Sequence, residues 1–286
     1  MAEPLLKAGV IGYPISHSLS PRIHNYWLKK YNITGRYEAM EVAPEELERF
    51  IKDLAVRGIR GVNVTIPHKV EVMQWLDEVT PLAKAIGAVN TVFFSEDGTL
   101  KGTNTDAYGF IQNLISSSYF ANIGADVEIK TLILGAGGAS RAVISGLISE
   151  GLRDIILVNR HTEKAEQVAR DLNNYYQDDI IHVKPWEERH KLLERVDLLV
   201  NSTALGMIGQ PELDLDLSHL PTTAIVTDIV YKPLETKLLK EAKARGNPVI
   251  DGLGMLLYQA QEGFVLWYGD KDWPEVTQEL RELVLS

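Results

Sequence analysis

A glycine-rich turn carries the most specific chemistry in the sequence. It stands between an apolar run, residues 129–134, and a helix-like stretch that begins at Ala139. Gly135 allows a tight turn, Gly137 lets the backbone approach a pyrophosphate, and a helix N-terminus supplies amides with a partial positive charge. The third small position of the pattern G-x-G-x-x-G/A holds Ser140, which departs from it. Because strand, turn and helix occur in the required order, the segment predicts a dinucleotide site rather than a ligand-free glycine turn.

The residues after the next apolar run indicate which dinucleotide is bound. An NAD site usually places Asp or Glu at this strand end, where it accepts hydrogen bonds from the ribose hydroxyls. This chain has Asn159, Arg160 and His161 there, with Lys164 shortly after. Arginine binds phosphate oxygens through two charge-assisted hydrogen bonds, so this loop favours a 2′-phosphate and hence NADP. The alternative is an ordinary solvated charged surface.

Hydroxyl groups follow the first predicted strand. Ser16 and Ser18 alternate in a loop bracketed by Pro14 and Pro21. Ligands of an open α/β sheet bind beyond the carboxyl ends of its strands, so these two hydroxyls suit a carboxylate or a polyol. We expect Ser20 to be the N-cap of the helix that follows. Ordinary turn chemistry is the alternative interpretation for the other two serines.

A lysine and an aspartate follow two other predicted strands. Strand alternation places Asn63 and Thr65 on one face, and Lys69 then falls in the first turn of a predicted helix. A lysine is unfavourable at a helix N-terminus, so its ammonium could point to the strand ends, although a surface lysine is the alternative. Asp106 is either the N-cap of a helix or the acid–base partner of Lys69. Asn90 adds an amide.

Bulk properties exclude several classes of partner and site. The chain has 286 residues, no cysteine and a formal net charge of -10. These values predict no disulfide, no nucleic acid or membrane partner, and a cytoplasmic protein. We find neither a secretory leader pattern nor an apolar run near the length of about 18 residues that a membrane helix needs. His17, His24 and His68 lack metal-ligand spacing, so no metal site is predicted.

Alternating apolar runs and helix-like stretches indicate an α/β protein with two domains. In the first half we predict strands at 8–12, 37–42, 61–66, 89–94 and 99–102, and helices at 21–31, 44–56, 69–76 and 106–116. A stretch rich in Ser, Asn and Gly, residues 116–126, reads as a connection between domains. A second series of strands and helices from residue 129 has the pattern of a doubly wound nucleotide domain. Two helices, at 255–268 and 274–284, end the chain.

Eight segments, taken in order, resemble the shikimate dehydrogenase family. They are 12–21 (GYPISHSLSP), 63–69 (NVTIPHK), 87–91 (GAVNT), 102–106 (GTNTD), 135–139 (GAGGA), 159–160 (NR), 201–203 (NST) and 251–256 (DGLGML), with Gln259 following. The resemblance implies a mostly parallel α/β substrate domain of residues 1–105 plus 253–286. It also implies a Rossmann-type NADP domain of residues 106–252, with a cleft between the two.

The same resemblance implies roles for individual residues. Lys69 and Asp106 would form the catalytic pair. The substrate would be bound by Ser16, Ser18, Thr65, Asn90, Asp106, Tyr231 and Gln259. NADP would be bound by Gly135, Ala136, Gly137, Gly138, Ala139, Asn159, Arg160, His161, Thr162, Lys164, Ile229 and Gly252. The family often has Asn-Arg-Thr in the 2′-phosphate loop, and His161 departs from that pattern.

The implied activity is the reversible NADPH-dependent reduction of 3-dehydroshikimate to shikimate, a step towards chorismate and aromatic amino acids. One alternative is a quinate/shikimate dehydrogenase that uses NAD, which an acidic residue in the loop after Val158 would favour. Others are a ligand-sensing homologue without catalysis and a domain that binds nucleotide for structural reasons. The predicted assembly is a monomer or a homodimer.

Overall fold

The computed structural model describes residues 5–121, 128–269 and 274–286. The chain divides into two compact units, one of Met1–Thr105 with Leu257–Ser286 and one of Asp106–Leu256. The α-helices are α1 (Ser20–Lys30), α2 (Leu47–Lys52), α3 (Pro81–Ile86), α4 (Asp106–Ile115), α5 (Ser118–Ala121), α6 (Gly138–Ser149), α7 (Thr162–Tyr176), α8 (Lys237–Ala244), α9 (Leu253–Tyr268) and α10 (Gln278–Leu285). The first unit resumes at Leu257, so the boundary between the units lies within α9, about one turn after its start at Leu253. Among the described residues, no helix is both long and apolar enough to cross a membrane.

The first unit is built on a mixed six-stranded sheet. Its strands are β1 (Leu6–Gly12), β2 (Gly35–Glu41), β3 (Ile59–Val64), β4 (Glu78–Val79), β5 (Thr91–Phe94) and β6 (Leu100–Thr103), in the order β2-β1-β3-β5-β6-β4. β1 pairs in parallel with β2 and β3, whereas β5 runs antiparallel to both β3 and β6. The carboxyl ends of β1, β3 and β6 therefore lie at the same edge as the amino end of β5. This edge carries most of the predicted substrate residues.

The second unit is built on a parallel six-stranded sheet. Its strands are β7 (Lys130–Leu134), β8 (Asp154–Asn159), β9 (Ile181–Pro185), β10 (Leu198–Asn201), β11 (Ile225–Asp228) and β12 (Val249–Ile250). The order β12-β11-β10-β7-β8-β9 is that of a doubly wound dinucleotide fold. Every strand pair in it is parallel. Apart from the edge strand β9, which is mostly exposed, the strands are almost wholly buried and rich in Leu, Ile and Val, as a sheet covered on both faces requires. The predicted α/β class, with a substrate-type unit and a Rossmann-type unit, is confirmed.

The helix predicted over residues 69–76 is wrong. Residues 66–70 form a turn, and a short 3₁₀ helix, Glu71–Trp75, follows. An α-helix would need the Lys69 carbonyl to accept from the amide four residues later. That carbonyl instead accepts a hydrogen bond of 2.8 Å from the backbone N–H of Val89. The distant segment therefore prevents the helix from starting at Lys69.

The expected N-cap role of Ser20 is also wrong. α1 begins at Ser20 itself, Leu19 occupies the cap position, and no side chain caps the helix there. The hydroxyl oxygen of Ser18 lies 3.3 Å from the backbone N–H of Ser20 and accepts its hydrogen bond. The Ser20 side chain is buried. The cap-like contact therefore comes from Ser18, for which ordinary turn chemistry was the alternative interpretation.

The predicted connection over residues 116–126 does not separate the units. The chain passes from one unit to the other between Thr105 and Asp106, and α4 packs against α6 within the second unit. Phe110 and Leu114 of α4 are buried. Residues 122–127 of the predicted connection lie outside the described part of the chain. The single helix predicted over 44–56 is a 3₁₀ turn, Pro44–Glu46, followed by α2.

Candidate active site

The loop after β1 and the turn after β3 lie side by side. The N–H of Thr65 donates to the carbonyl of Ile11 over 3.0 Å, and the N–H of Tyr13 donates to the carbonyl of Ile66 over 3.0 Å. Gly12 makes this approach possible, because a Cβ at that position would stand 2.6 Å from Cγ2 of Thr65. The two segments that carry the predicted serines and the predicted lysine are thus joined by backbone hydrogen bonds.

The serine loop has a defined local geometry. Ser16 is exposed and Ser18 is half-buried. The N–H of Ser18 donates to the carbonyl of Ile15 over 3.0 Å, which closes a turn. Because the Ser18 oxygen accepts from the N–H of Ser20, its own proton is available to point elsewhere. A hydroxyl held in this way can donate to an anionic oxygen.

Lys69 is tied to the segment that precedes β5. Its carbonyl accepts from Val89, and the N–H of Val64, at the end of β3, donates to the carbonyl of Asn90 over 2.8 Å. The Lys69 residue is half-buried. The turn that carries the lysine and the segment that carries the asparagine are therefore fixed to each other through the sheet edge.

Asn90, Thr105 and Gln259 form a buried polar set. The N–H of Thr105 donates to Oδ1 of Asn90 over 2.8 Å, and Nδ2 of Asn90 donates to the hydroxyl of Thr105 over 3.1 Å. That hydroxyl donates to Oε1 of Gln259, 3.2 Å away. All three residues are buried. Sequence reasoning did not single out Thr105, although its position directly before Asp106 and after a strand could have suggested it.

The first unit thus contains the predicted catalytic Lys69 and most of the predicted substrate residues. The substrate residues are Ser16, Ser18, Thr65, Asn90 and Gln259. Asp106 and Tyr231 belong to the second unit. Asp106 is the first residue of α4, so it lies in the first turn of the helix and not at the N-cap position. The helix dipole favours a carboxylate in this first turn. Tyr231 is half-buried, and this burial raises the pKa of its hydroxyl.

The glycine-rich turn of the second unit has the backbone that its sequence predicts. Gly135 has φ +110°, and a Cβ there would lie 2.9 Å from Cγ2 of Thr203 and 3.0 Å from Oγ of Ser202. Both conditions require glycine. Ser140 is fully buried and donates 2.6 Å to the carbonyl of Gly135. Ser140 departs from the Gly or Ala of the pattern, but its hydroxyl holds the glycine-rich turn against α6.

The N-terminus of α6 fits a pyrophosphate. Gly137 occupies the cap position and offers no side chain to the amides of the first turn. Cβ atoms built at Gly137 and Gly138 would meet no atom of the described residues within 4 Å. The amides and the partial positive charge of the helix end thus face open space. The residues present at this turn fit the diphosphate of a dinucleotide.

The loop after β8 fits a 2′-phosphate. Nδ2 of Asn159 donates 2.9 Å to the carbonyl of His161, and the N–H of Lys164 donates 3.0 Å to the same carbonyl. Arg160, His161 and Lys164 are exposed. Within residues 5–121, 128–269 and 274–286, neither Arg160 nor Lys164 forms an ion pair with a carboxylate, whereas Nδ1 of His161 lies 3.8 Å from Glu163. Two cations that no carboxylate neutralises suit a phosphate dianion.

The segments after β11 and β12 approach each other closely. A Cβ at Gly252 would lie 2.8 Å from the carbonyl oxygen of Asp228 and would also clash with the carbonyl of Ile229. The Ile229 N–H donates 3.0 Å to the carbonyl of Asn201. Ile229 and Gly252, both predicted to lie near the nicotinamide, are therefore adjacent. They stand at the carboxyl edge of the same sheet as the glycine-rich turn.

Asp228 is a buried carboxylate that sequence reasoning missed. It accepts hydrogen bonds from the N–H of Val230 (3.0 Å), the amide of Asn201 (3.0 Å) and the hydroxyl of Thr236 (2.8 Å). Burial outweighs these hydrogen bonds and raises the pKa of Asp228 to about 6. The signal was present in the sequence, because an aspartate ends an apolar strand at residues 225–228.

Two family descriptions match the chain. Residues 10–92 match the shikimate dehydrogenase substrate binding domain, and residues 121–208 match the family described as shikimate / quinate 5-dehydrogenase. The chain is 50% identical over 279 residues to a shikimate dehydrogenase (NADP(+)) of Paramagnetospirillum magneticum, and the match covers 98% of each.

Two solved structures share the fold along nearly the whole chain. One is a shikimate 5-dehydrogenase from Thermus thermophilus in complex with NADP(H) and shikimate, with TM-score 0.83 and 36% identity, covering 98% of this chain and 99% of the other. The second is a quinate dehydrogenase from Corynebacterium glutamicum in complex with NAD, with TM-score 0.88, 29% identity and the same two coverages. With its doubly wound cofactor unit and its buried amide and hydroxyl groups, the chain belongs to the shikimate dehydrogenase family.

Proposed function

We propose that this chain catalyses the reversible NADPH-dependent reduction of 3-dehydroshikimate to shikimate, on the route to chorismate and the aromatic amino acids. The observation that carries the proposal is the buried set Asn90–Thr105–Gln259, linked through the sheet edge to Lys69. Such a set of neutral amides and hydroxyls suits a polyhydroxylated ring, because each ring hydroxyl can be matched by a polar group. The 50% identity to a shikimate dehydrogenase (NADP(+)) supports the same assignment.

The substrate is a ring that carries a carboxylate and hydroxyl groups, and these are bound by different side chains. Ser16 and Ser18 bind the carboxylate, since an exposed and a half-buried hydroxyl donor on a turned loop match an anionic oxygen pair. Thr65, Asn90 and Gln259 hold the ring hydroxyls. Tyr231 contributes a further hydroxyl from the second unit.

The cofactor is NADP, held by the second unit. The backbone of Gly135–Ala139 binds the diphosphate at the N-terminus of α6. The 2′-phosphate is bound by Asn159, Arg160, His161, Thr162 and Lys164. Ile229 and Gly252 lie by the nicotinamide. The charges of Arg160 and Lys164 support NADP over NAD. When bound, NADPH supplies the hydride that reduces the ketone carbon.

Lys69 and Asp106 form the catalytic pair of the proposal. As the ketone is reduced, negative charge develops on its oxygen, and the Lys69 ammonium stabilises this charge and delivers a proton to the oxygen. In the reverse direction the amine of Lys69 accepts that proton from the hydroxyl. Asp106 orients the lysine and accepts a hydrogen bond from the neighbouring ring hydroxyl. The general acid contributes about 10²–10⁴-fold to the rate.

The protein is proposed to act in the cytoplasm on a small-molecule substrate, as a monomer or a homodimer. The absence of cysteine fits a reducing compartment, and the formal net charge of -10 disfavours binding to nucleic acid.

The test is the absorbance of the reduced nicotinamide, recorded with purified protein and four pairings of shikimate or quinate with NADP or NAD. We expect rapid reduction of NADP with shikimate and much slower reaction in the other three pairings. Preferential activity with quinate and NAD would instead support the quinate/shikimate dehydrogenase alternative. A folded protein, verified by circular dichroism, that is inactive in all four pairings would contradict an enzymatic role and favour a ligand sensor.

A further inference from the structure

Two backbone groups fix the orientation of the Asn201 amide at the end of β10. One terminal atom of this buried side chain lies 3.1 Å from the carbonyl oxygen of Leu205, which can only accept, so that atom is Nδ2. The other lies 3.1 Å from the backbone N–H of Thr203, which can only donate, so it is Oδ1. Nδ2 carries a second hydrogen, which it donates over 3.0 Å to Oδ1 of Asp228 at the end of the neighbouring strand β11.

Asp228 closes a turn around Ile229. Its Oδ1 also accepts a hydrogen bond of 3.0 Å from the N–H of Val230, two residues along the chain, which is the arrangement of an Asx-turn. Oδ2 accepts from the hydroxyl of Thr236, the N-cap of α8, over 2.8 Å. Asp228 is only 1% exposed, so solvent does not replace a hydrogen bond that is lost there. One carboxylate oxygen thus holds both the turn and the link to Asn201, and the other contacts α8.

The backbone of Ile229 is held on both sides by this arrangement. Its N–H donates 3.0 Å to the carbonyl of Asn201, and the next N–H, that of Val230, donates to Asp228. Its carbonyl lies so close to Gly252 that a Cβ there would clash with it. Ile229 is half-buried, whereas Asp228 and Val230 on either side are buried. Ile229 is therefore the residue of this turn that stays partly open to solvent, and its backbone is fixed.

The same segment of β10 contacts the glycine-rich turn through different residues. The hydroxyl of Ser202 donates 2.7 Å to the carbonyl of Leu134, directly before Gly135. A Cβ at Gly135 would stand 2.9 Å from Cγ2 of Thr203. The link to Asp228 runs instead through the side chain of Asn201. The turn that fits the diphosphate and the turn around Ile229 therefore have separate supports, and a substitution can remove one and leave the other.

We propose that Asp228, held by Asn201, is a positioning residue that places the nicotinamide half of NADP and leaves the adenosine half unaffected. The inference rests on the proposed function, in which Ile229 and Gly252 lie by the nicotinamide. Asp228 acts through the backbone of the turn and needs no contact with the cofactor. Without the turn, Ile229 is no longer held beside the nicotinamide ring. The 2′-phosphate and the diphosphate are bound by other segments, 159–164 and 135–139.

Isothermal titration calorimetry with two ligands tests this division without any turnover. One ligand is NADPH, and the other is adenosine 2′,5′-bisphosphate, which carries the 2′-phosphate but lacks the nicotinamide half. We expect the wild type to bind NADPH more tightly than the bisphosphate. Asp228→Ala removes both acceptor oxygens and should weaken NADPH binding about tenfold, which corresponds to about 1.4 kcal/mol. Its Kd for the bisphosphate should stay within about twofold of the wild-type value.

Two further variants separate positioning from a general loss of stability. Asp228→Asn keeps an oxygen that accepts from Val230 and Asn201, so its Kd for NADPH should stay within about twofold of the wild-type value. Thr236→Val removes only the hydrogen bond to Oδ2. It should lower the Tm while the Kd for NADPH remains unchanged. A role in stability alone predicts instead that NADPH binding weakens in step with the Tm.

Asn201→Asp approaches the same link from the other side, in case Asp228→Ala does not fold. The new side chain has the same shape and keeps an acceptor for the N–H of Thr203, but it faces Asp228 with an oxygen. Burial raises the pKa of Asp228 to about 6, so its carboxylate is ionised at pH 8 and repels this oxygen. We expect weaker binding of NADPH at pH 8 and unchanged binding of the bisphosphate.

The wild type is titrated first. A wild type that binds neither ligand overturns the proposed NADP-dependent function itself. A wild type that binds both ligands equally tightly overturns the positioning role alone, because the nicotinamide half then adds nothing. The same holds if the folded Asp228→Ala and Asn201→Asp variants keep the wild-type affinity for NADPH, or lose affinity for NADPH and the bisphosphate in parallel.

Discussion

Thr105 binds Asn90 twice, because its N–H donates 2.8 Å to Oδ1 and its hydroxyl accepts 3.1 Å from Nδ2. The same hydroxyl donates 3.2 Å to Gln259 of α9. One fully buried threonine thus joins the residue before β5, the chain after β6 and a helix that lies some 150 residues further along the sequence.

Removal of the Thr105 hydroxyl should weaken substrate binding. In Thr105→Val the backbone N–H still holds Oδ1 of Asn90, but the link between Asn90 and Gln259 is lost. We expect the shikimate KM to rise about tenfold, since a lost buried hydrogen bond costs about 1–3 kcal/mol. Steady-state kinetics at saturating NADP, with circular dichroism as a check of folding, would measure it. An unchanged KM in a folded variant would show that the link does not order the amides.

Replacement of the proposed general acid should affect turnover more than binding. We expect Lys69→Ala to lower kcat about 10²–10⁴-fold while the shikimate KM changes only a few-fold. The control is Lys101→Ala on β6 of the same unit, where the ammonium pairs with Glu78 over 2.7 Å and should be dispensable. Equal losses in kcat and in substrate affinity for Lys69→Ala would argue for a binding role only.

Replacement of Arg160, the exposed arginine after β8, should weaken the binding of NADP but not of NAD. Arg160→Ala should raise the KM for NADP about ten- to a hundredfold, because a hydrogen bond to a charged group contributes about 1.5–3 kcal/mol. The KM for NAD, which lacks the 2′-phosphate, should not change. Arg153→Ala, which removes an exposed pair with Asp178 at 2.8 Å in the same unit, provides the control. A parallel rise for both cofactors would place the 2′-phosphate elsewhere.

Thr131 on β7 offers a stabilising substitution. Its side chain is fully buried, and its hydroxyl oxygen has no hydrogen-bond partner within the described parts of the chain. Thr131→Val keeps the shape and removes the buried polar atom, so the free energy of unfolding should rise by about 1 kcal/mol. Thr236→Val should do the opposite, because that hydroxyl donates 2.8 Å to Asp228. Urea unfolding of both variants would measure the two effects, and a loss of stability in Thr131→Val would contradict the first.

Glu262 should make stability depend on pH. Burial raises the pKa of this α9 carboxyl from 4.5 to about 7, so the folded state favours the protonated form. As pH rises through this window, the unfolded state releases the proton first and the wild type loses stability. Glu262→Gln removes the titration. Its gain in unfolding free energy over wild type should be larger at pH 8 than at pH 5 by about 2 kcal/mol. A gain equal at both pH values would mean that the carboxyl titrates normally in the folded protein.

Local pattern was sufficient for the dinucleotide turn of the second unit. The apolar run at β7, Gly135 and the start of α6 follow each other within a few residues, and each depends on backbone preferences of its own segment. The cations after β8 were also read from adjacent residues. The helix prediction at Lys69 failed because a group distant in sequence bonds to the local backbone. The turn at Lys69 is not helical because the N–H of Val89 occupies its carbonyl.

The sequence by itself determined the α/β class, the dinucleotide turn and the types of side chain that stand at the strand ends. Only the tertiary structure decided which of these side chains are joined, and in which direction their hydrogen bonds run. Tyr37, Asn63, Asn90, Thr105 and Gln259 are far apart along the chain and carry no shared periodicity. The N–H of Thr105 orients the Asn90 amide and the carbonyl of Asn90 orients the Asn63 amide, and these groups meet only when the sheet edge has assembled.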